Sequence, residues 1–466
     1  MKRPLLFVLI LSLFACTEMT SDKKAVISGR ITNPAGDFIA FNVGKASDTA
    51  LLDSLGTFSL TIKLEKPSYA TLHHGTEISQ MFLYPGDDIF LTLDPEMFDE
   101  TINYAGQGAI QNNYLAEKFL INEKMHKDPR ESFKMDEEMF LKLMDKNQFV
   151  LLNHLDTAFS GREEEYATFI KLERNRLHYE KASEMLMYPS YHSYLTKNQE
   201  FQPGDDYYAF LDGIMIDDGE MLQLDEYRSL IRMYVSEMAR QELKRDTTLQ
   251  DKYESPYDML VMTTILEDFK DEQVKNHLLK EFVMEFVNYR GLSREDTAMK
   301  IFYANCTDTA LIRDVEKGIV KWERIARGQP APGFEYPDID GEMVALDDLR
   351  GKYVYIDVWA TWCGPCKAEI PHLKALEVEM HDRNIVFVSV SVDDSKEDWE
   401  NMVRDKELGG IQLFGGSGWK SSITEDYNIK GIPRFILIDK DGMIIDATAA
   451  RPSGNIKEIL LAQEGI

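Results

Sequence analysis

One short segment near the C-terminus limits what this chain can fold into more than any other feature of the sequence. It holds two cysteines separated by two residues and consists of Trp362, Cys363, Gly364, Pro365 and Cys366. An apolar run at 353–358 precedes it, and a stretch with helical character follows at 367–380. A strand that leads into a C-x-x-C at the start of a helix is typical of a dithiol redox site.

The positions of the two cysteines suit thiol–disulfide exchange. At the N-terminus of a helix, unpaired N–H groups and the helix dipole favour a thiolate on Cys363, and the thiolate is the form that attacks a disulfide. Cys366 lies one turn further on, where its sulfur can break the resulting mixed disulfide. Pro365 suits the first turn because it has no N–H to leave unpaired. The sequence therefore predicts a redox-active disulfide between Cys363 and Cys366, with Trp362, Gly364 and Pro365 as motif neighbours.

Two other roles for a C-x-x-C pair fit this sequence less well. A structural zinc site takes four ligands, whereas only Cys16 and Cys306 remain as further thiols, and the nearby His372 and His381 do not have the usual ligand spacing. A purely structural disulfide between such close residues would close almost no loop and would gain little from chain entropy. We therefore predict neither a metal nor another cofactor at this site.

Length and charge limit the class of protein. A chain of 466 residues exceeds what one ordinary core supports, so its length predicts several domains. A hydrophobic content of 44% with 28% charged residues is typical of a globular chain. The net charge of −28 argues against binding to nucleic acid, because contacts with phosphates require clustered cations. It argues equally against a polybasic patch that would bind a membrane surface.

The N-terminus has the pattern of an export signal. Two basic residues precede an apolar stretch at 5–14, which is too short to cross a bilayer. The stretch ends at Ala15 and Cys16. This pattern resembles a bacterial lipoprotein signal, in which the cysteine after the small residue is acylated and becomes the mature N-terminus. The sequence thus predicts a signal peptide at 1–15 and lipidation of Cys16, with an ordinary cleaved secretory signal as the alternative.

Lipidation of Cys16 would anchor the mature protein to a membrane on the periplasmic side of the cell envelope. Disulfides persist in such a compartment, so a C-x-x-C pair has substrates there. No later stretch of the sequence is long and apolar enough to be a transmembrane helix. Residues 16–24 are predicted to be the lipidated cysteine and a polar tether.

Three patterns of residues follow the tether and predict a multidomain chain. In the region 25–105, apolar and polar residues alternate between turn signals, most clearly at 57–64, which predicts an antiparallel β sandwich or barrel. In the region 106–327 the apolar residues recur with a helical period, which predicts an all-α domain. A short linker rich in Gly and Pro at 328–333 opens the α/β region 328–466.

The C-terminal region resembles the thioredoxin superfamily, and within it the extracytoplasmic TlpA/ResA-type thiol-disulfide oxidoreductases. The resemblance rests on four segments, at 331–334, 346–351, 357–366 and 431–435. It implies an α/β thioredoxin-like fold in which Pro433 follows a cis peptide bond after Ile432 and faces the dithiol. Proline is the residue that tolerates a cis bond, and because it has no N–H it does not compete with a substrate strand laid beside it.

The resemblance also implies roles for two carboxylates. Asp357 matches the buried acid that thioredoxins place behind the second cysteine, and Glu369 matches an acid near the site of the TlpA/ResA-type proteins. A buried carboxylate with a raised pKa can take the proton of the resolving thiol. A solvated residue in the first turns of the helix is the alternative for Glu369. Thioredoxins often place a lysine on the next strand, where this chain has Ser389 and Ser391, so the route of the proton stays open.

Peroxiredoxins are the nearest related family with a different reaction. Their peroxidatic cysteine needs proline seven residues before it and threonine or serine three residues before it. Ile356 and Ala360 hold these places before Cys363, and Trp359 and Cys363 hold them before Cys366. Because a motif carries its chemistry only with its full residue context, the sequence does not support a peroxidase.

Together these features predict an extracytoplasmic, membrane-tethered thiol-disulfide oxidoreductase. The Gly364–Pro365 pair resembles that of the reducing thioredoxins, which favours a disulfide reductase over an oxidase. Its partners would be disulfide-containing proteins and a membrane electron donor, as in cytochrome c biogenesis. The alternative is a ligand- or protein-binding lipoprotein with an accessory redox domain. The N-terminal β region resembles an uncharacterised domain found ahead of thioredoxin-like domains in bacterial lipoproteins, and this resemblance names no activity.

Overall fold

The computed structural model describes residues 23–125, 128–252, 255–291 and 296–466. The predicted signal peptide at 1–15 and Cys16 lie outside these residues. The chain divides into two compact units. The first runs to Met215 and includes Met221–Leu230, and the second consists of Ile216–Glu220 and Ile231–Ile466. The boundary falls inside the stretch with helical periodicity, so each unit contains part of that stretch.

The first unit begins with two four-stranded sheets, which confirms the predicted β-rich region. Their strands are β1 (Lys24–Ile31), β2 (Phe38–Val43), β3 (Ala46–Leu51), β4 (Thr57–Lys63), β5 (Ser68–His74), β6 (Glu77–Leu83), β7 (Asp88–Leu93) and β8 (Asn103–Gln107). The strand order is β4-β1-β7-β8 in one sheet and β3-β2-β5-β6 in the other, and neither of these sheets closes into a barrel. Strands β1 and β7 pair in parallel, so the predicted antiparallel arrangement is wrong for this pair. Apolar residues from both sheets belong to one buried cluster, which includes Ile27 and Leu91 from the first sheet and Phe41 and Leu72 from the second.

The helical stretch predicted from the apolar period is present in both units. Its helices, with one short helix before β8, are α1 (Phe98–Thr101), α2 (Ala109–Met125), α3 (Pro129–Lys134), α4 (Glu137–Ala158), α5 (Ala167–Thr196), α6 (Asp225–Arg245), α7 (Leu249–Lys252), α8 (Pro256–Asp268), α9 (Glu272–Arg290), α10 (Thr297–Asn305) and α11 (Thr309–Glu323). Aspartates cap several of them, as Asp271 does when it accepts the N–H groups of Gln273 and Val274 in α9. Across the described ranges, we find no helix that combines the length and the apolar character of a membrane span.

In the second unit, α9 and α11 pack against each other through apolar faces. Phe282 and Phe286 of α9 are buried, as are Ile319 and Trp322 of α11. Gly291 ends α9 with a φ of 68° and donates its N–H to Val287 of the last turn. A Cβ atom at Gly291 would lie 2.8 Å from the Trp322 ring, so only glycine allows this close approach.

The C-terminal part of the second unit is an α/β region around a five-stranded sheet. Its elements are the strands β9 (Glu335–Pro337), β10 (Met343–Ala345), β11 (Tyr353–Trp359), β12 (Ile385–Ser391), β13 (Ile411–Phe414), β14 (Arg434–Ile438) and β15 (Ile444–Asp446), and the helices α12 (Gly364–Glu379), α13 (Lys396–Asp405), α14 (Ser422–Asp426) and α15 (Ile456–Leu461). The strand order is β13-β12-β11-β14-β15. Strand β11 is central and buried along its whole length; it runs parallel to β12 and antiparallel to β14.

The segment predicted as a linker lies along the outer side of β15. The N–H of Gly328 donates to the carbonyl of Ile444 at 2.8 Å, and the N–H of Ile444 donates to the carbonyl of Gln329 at 2.8 Å. Further along, the N–H of Ala331 donates to the carbonyl of Gly442 at 3.0 Å. The segment is therefore hydrogen-bonded to the sheet and is not a free linker.

Candidate active site

Cys363 and Cys366 form a disulfide at the start of α12, with the two sulfurs 1.96 Å apart. Cys363 is the N-cap residue of the helix, and its sulfur accepts the backbone N–H of Cys366 at 3.1 Å. Both residues are nearly buried, with exposed fractions of 5% and 3%. In the reduced protein, the same N–H and the helix dipole would stabilise a thiolate on Cys363.

The residues next to the disulfide in the sequence are exposed to solvent. Trp362, Gly364 and Pro365 are exposed. The ring of Trp362 lies 6.3 Å from the ring of Trp419, which is also exposed. Exposed aromatic side chains are typical of surfaces that bind other molecules, so the surface beside the nearly buried disulfide suits contact with a partner.

Asp357 lies on the face of β11 that packs against α12. Tyr355 belongs to the same apolar cluster as Leu373 of α12, and side chains two positions apart on a strand share a face. Burial raises the pKa of Asp357 to about 8, and the charges of Glu369 and Glu377 add to the effect. The Oδ1 atom of Asp357 has no hydrogen-bond partner in the described part of the chain. Asp357 is therefore mostly protonated at neutral pH.

Glu369 lies on the same buried side of α12 as Cys366, with an exposed fraction of 7%. Its carboxylate accepts two hydrogen bonds from Ser453, one from the hydroxyl at 2.8 Å and one from the backbone N–H at 3.0 Å. The guanidinium of Arg451 lies 3.9 Å from Oε1 of Glu369. Glu369 is therefore buried, and the alternative of a solvated residue in the first turns of the helix is wrong. Its hydrogen bonds with Ser453 connect α12 to the segment before α15.

The peptide bond between Ile432 and Pro433 is cis. In the sheet, Arg434 at the start of β14 pairs with Val358 near the end of β11. Pro433 therefore lies beside the end of β11, where this strand leads into the disulfide. Ile432 and Pro433 are only partly buried, so this loop is open to a partner.

Asp393 holds the loop that precedes the disulfide, and the sequence analysis missed it. Its carboxylate accepts the backbone N–H of Thr361 at 3.0 Å and the hydroxyl of Thr361 at 2.7 Å. It also accepts the hydroxyl of Ser391 at 2.6 Å. Asp393 follows β12, and the carboxyl ends of parallel strands meet at one edge of a sheet. An acidic residue just after the strand that follows the C-x-x-C helix is therefore the sequence pattern from which Asp393 was predictable.

The third thiol that the structure describes lies elsewhere in the second unit. Cys306 is buried just after α10, and burial raises the pKa of its thiol. A raised pKa disfavours the thiolate, so Cys306 is poorly suited to attack a disulfide. Within the same described residues, no cluster of three or more His, Cys, Asp or Glu side chains could hold a metal ion.

Known proteins resemble the part of the chain that carries this geometry. Residues 327–447 match the AhpC/TSA family. The thiol-disulfide oxidoreductase ResA of Bacillus cereus is 30% identical over 124 residues, which are 27% of this chain and 70% of that protein. The thioredoxin-like protein YneN of Bacillus subtilis is 35% identical over 122 residues, which are 26% of this chain and 71% of that protein. The solved thioredoxin domain of a thiol-disulfide oxidoreductase from Bacteroides vulgatus is 29% identical, with 29% of this chain and 96% of that chain covered and a TM-score of 0.28.

A thioredoxin-like fold whose central strand leads into a disulfide at a helix start defines the C-terminal part of this protein as a thiol-disulfide oxidoreductase. Through this part, the chain belongs to the ResA family of thiol-disulfide oxidoreductases. These relatives do not favour the alternative of a ligand-binding lipoprotein with an accessory redox domain.

Proposed function

We propose that the protein is an extracytoplasmic, membrane-tethered disulfide reductase in which Cys363 is the nucleophile and Cys366 the resolving cysteine. The observation that carries this proposal is the hydrogen bond from the Cys366 N–H to the Cys363 sulfur at the start of α12. It gives Cys363, and not Cys366, the stabilisation that a helix N-terminus offers to a thiolate. The names of the ResA relatives support exchange between thiols and disulfides as the reaction.

The proposed reaction consists of two exchanges. The Cys363 thiolate attacks one sulfur of a substrate disulfide, forms a mixed disulfide and releases the first substrate thiolate. The Cys366 thiolate then attacks the Cys363 sulfur, the bond to the substrate breaks, and the second substrate thiolate leaves. Two electrons pass to the substrate, and the protein is left with the Cys363–Cys366 disulfide seen in the structure. A membrane electron donor of the dithiol class would then reduce it again.

Asp357 is proposed to move the proton of Cys366 in both halves of this cycle. In the disulfide form Asp357 is mostly protonated, because burial raises its pKa to about 8. When the donor reduces the disulfide, Asp357 can protonate the departing sulfur of Cys366. When the next substrate arrives, the resulting carboxylate takes the proton back. A carboxyl pKa close to that of a thiol makes transfer in either direction easy, and Glu369, held by Ser453, adds negative charge beside the pair.

Pro433 and Ile432 are proposed to align the substrate. The loop is partly exposed at the edge of the sheet where the disulfide lies. An extended polypeptide laid beside this partly exposed loop can form main-chain hydrogen bonds with the loop backbone, in the way that a bound strand pairs with a protein strand. The substrate class that follows is a protein with an accessible disulfide in an extended segment.

The reduction potential tests the direction of the proposed reaction. At equilibrium with glutathione or dithiothreitol buffers, the full chain should have a potential nearer about −270 mV than about −120 mV. The Gly364–Pro365 pair motivates this value, whereas stabilisation of the Cys363 thiolate acts against it, because it favours the reduced form. Acid quenching, alkylation and mass measurement give the reduced fraction, with a Cys306→Ser variant as the control for the third thiol. A potential above about −150 mV would show that the protein makes disulfides.

The membrane tether is tested at Cys16. The wild-type protein should be recovered with membranes and released by detergent, whereas Cys16→Ser should be recovered in the soluble fraction because it lacks the acyl chains that hold it. Fractionation of bacterial cells followed by mass measurement of the mature N-terminus checks both points. Cys306→Ser is the matched control and should fractionate like the wild type. Unchanged fractionation of Cys16→Ser, together with an unmodified N-terminus in the wild type, would contradict the tether.

A further inference from the structure

The end of α9 lies beside the loop that contains the cis peptide bond. A methyl group added at Gly431 would lie 3.4 Å from Cε1 and 3.9 Å from the hydroxyl oxygen of Tyr289, which are ordinary contact distances. Gly431 directly precedes Ile432 and Pro433. Tyr289 is 53% exposed, although it belongs to a helix whose inner face is buried. A residue of the helical stretch therefore borders the loop where the substrate strand is proposed to bind.

One buried side chain joins this loop to the helices. Arg434, the residue after Pro433, has an exposed fraction of only 6%. Its Nη2 atom donates to the carbonyl oxygen of Asn288 in α9 at 3.4 Å. Its guanidinium carbon lies 5.5 Å from the centre of the Trp322 ring in α11, a cation–π arrangement. The carbonyl that Arg434 binds belongs to the residue before Tyr289, so this hydrogen bond holds Tyr289 beside the loop.

The end of α9 strengthens this placement. The helix ends at Gly291, whose left-handed conformation stops the helical backbone immediately after Tyr289 and Arg290. The Trp322 ring of α11 lies where a Cβ atom at Gly291 would be, so Gly291 packs directly against α11. Two contacts, one on each side of Tyr289 in the sequence, thus hold it in place, and both involve the Trp322 ring.

We propose that Tyr289 is part of the substrate-binding face and recognises the polypeptide that flanks the target disulfide. This inference rests on the reductase function proposed above. An extended segment that pairs with the backbone at Ile432 would run past the exposed ring of Tyr289. The ring supplies apolar contact area at a low cost in conformational entropy, and its hydroxyl can bond to a peptide group. A small disulfide can reach Cys363 without this contact, so Tyr289 selects polypeptide disulfides over small ones.

The test compares two disulfides that differ in size. The pre-reduced full chain is mixed with insulin or with bis(2-hydroxyethyl) disulfide, and oxidation of the protein in a single turnover is followed by acid quenching and alkylation. Tyr289→Ala should lower the rate constant for insulin by about 5- to 30-fold, as expected for loss of an aromatic contact residue. The rate constant for the small disulfide should change by less than about twofold. Tyr289→Phe, which keeps the ring, should lose less than Tyr289→Ala with insulin.

A matched control comes from the same group of helices. Val320 of α11 is exposed on the side of the helix away from the buried Ile319 and Trp322, and Val320→Ala should match the wild type with both substrates. The inference is wrong if Tyr289→Ala reacts with insulin at the wild-type rate. It is also wrong if the variant slows both substrates equally, because that result would show a structural role for Tyr289. A wild-type protein that reduces neither disulfide would instead contradict the proposed function, before any variant is compared.

Discussion

Replacing Cys363 with serine should lower the rate of disulfide exchange by at least about three orders of magnitude, because a serine hydroxyl cannot replace the attacking thiolate. Cys366→Ser should have a different effect. Its Cys363 thiolate can still attack a substrate, but no second thiol is present to release the product. The mixed disulfide between protein and substrate should therefore accumulate in Cys366→Ser and not in Cys363→Ser.

Non-reducing gels and mass measurement of the pre-reduced variants, after mixing with a protein disulfide, distinguish the two outcomes. Cys306→Ser is the control, since this thiol is buried and its raised pKa disfavours attack. It should exchange disulfides at the wild-type rate. Accumulation of the mixed disulfide in Cys363→Ser, with none in Cys366→Ser, would reverse the assigned roles. It would also contradict the argument that the N-cap position makes Cys363 the nucleophile.

Replacing Asp357 with asparagine should stabilise the oxidised protein at neutral pH and slow its reaction. In the unfolded chain an aspartate ionises near pH 4, whereas burial raises the pKa of Asp357 in the folded chain to about 8. Between these pH values the folded protein binds more protons than the unfolded one, so the free energy of unfolding falls as the pH rises. The cost of burying this group reaches about 4 kcal/mol at pH 7, and the neutral asparagine removes it.

Urea unfolding of the oxidised protein between pH 5 and 8 measures this effect. The tryptophans of the chain are Trp322, Trp359, Trp362, Trp399 and Trp419. All of them belong to the second unit, so tryptophan fluorescence reports on the unit that contains Asp357. The difference between Asp357→Asn and the wild type should grow with pH across this range. Asp340→Asn, at an exposed carboxylate of the same unit, is the control and should leave the pH dependence unchanged.

The same variant should be slower in disulfide exchange, by about two orders of magnitude, because asparagine cannot exchange a proton with Cys366. Single-turnover oxidation of the pre-reduced protein measures this rate. If Asp357→Asn is more stable but exchanges disulfides at the wild-type rate, Asp357 is a buried acid without the proposed role in proton transfer. A variant with the pH dependence of the wild type would contradict the raised pKa itself.

The parts of the site that were predictable from the sequence depend on local chemistry. Strand β11, the cysteine pair and α12 follow one another along the chain, so an apolar run, a C-x-x-C and a helical period are sufficient to predict them. Asp393, by contrast, binds Thr361 across two strands. The partner of Glu369 is Ser453, which is far away in the sequence. Such contacts depend on the pairing of elements, and no single period in the sequence encodes that pairing.

The same limit applies to the architecture of the remaining chain. Alternating residues predicted the strands of the first unit, but β1 pairs with β4 in an antiparallel and with β7 in a parallel arrangement, and alternation looks the same in both. The helical period likewise continues across the boundary between the two units. A helix shows from its sequence which side is buried, but not which other element covers that side. The tie between Arg434 and Asn288 was unpredictable for the same reason.

The hydrogen bonds along β15 have a consequence for how the redox part can be separated from the rest of the chain. An outer strand with free N–H and C=O groups is a template on which other molecules can assemble into aggregates. In this protein the N–H and C=O groups of Ile444 are already hydrogen-bonded to Gln329 and Gly328. A fragment that begins after Ala331 would expose this edge and would be prone to self-association, even with every residue around the disulfide intact. The polypeptide that leads into the redox part thus also protects it from aggregation.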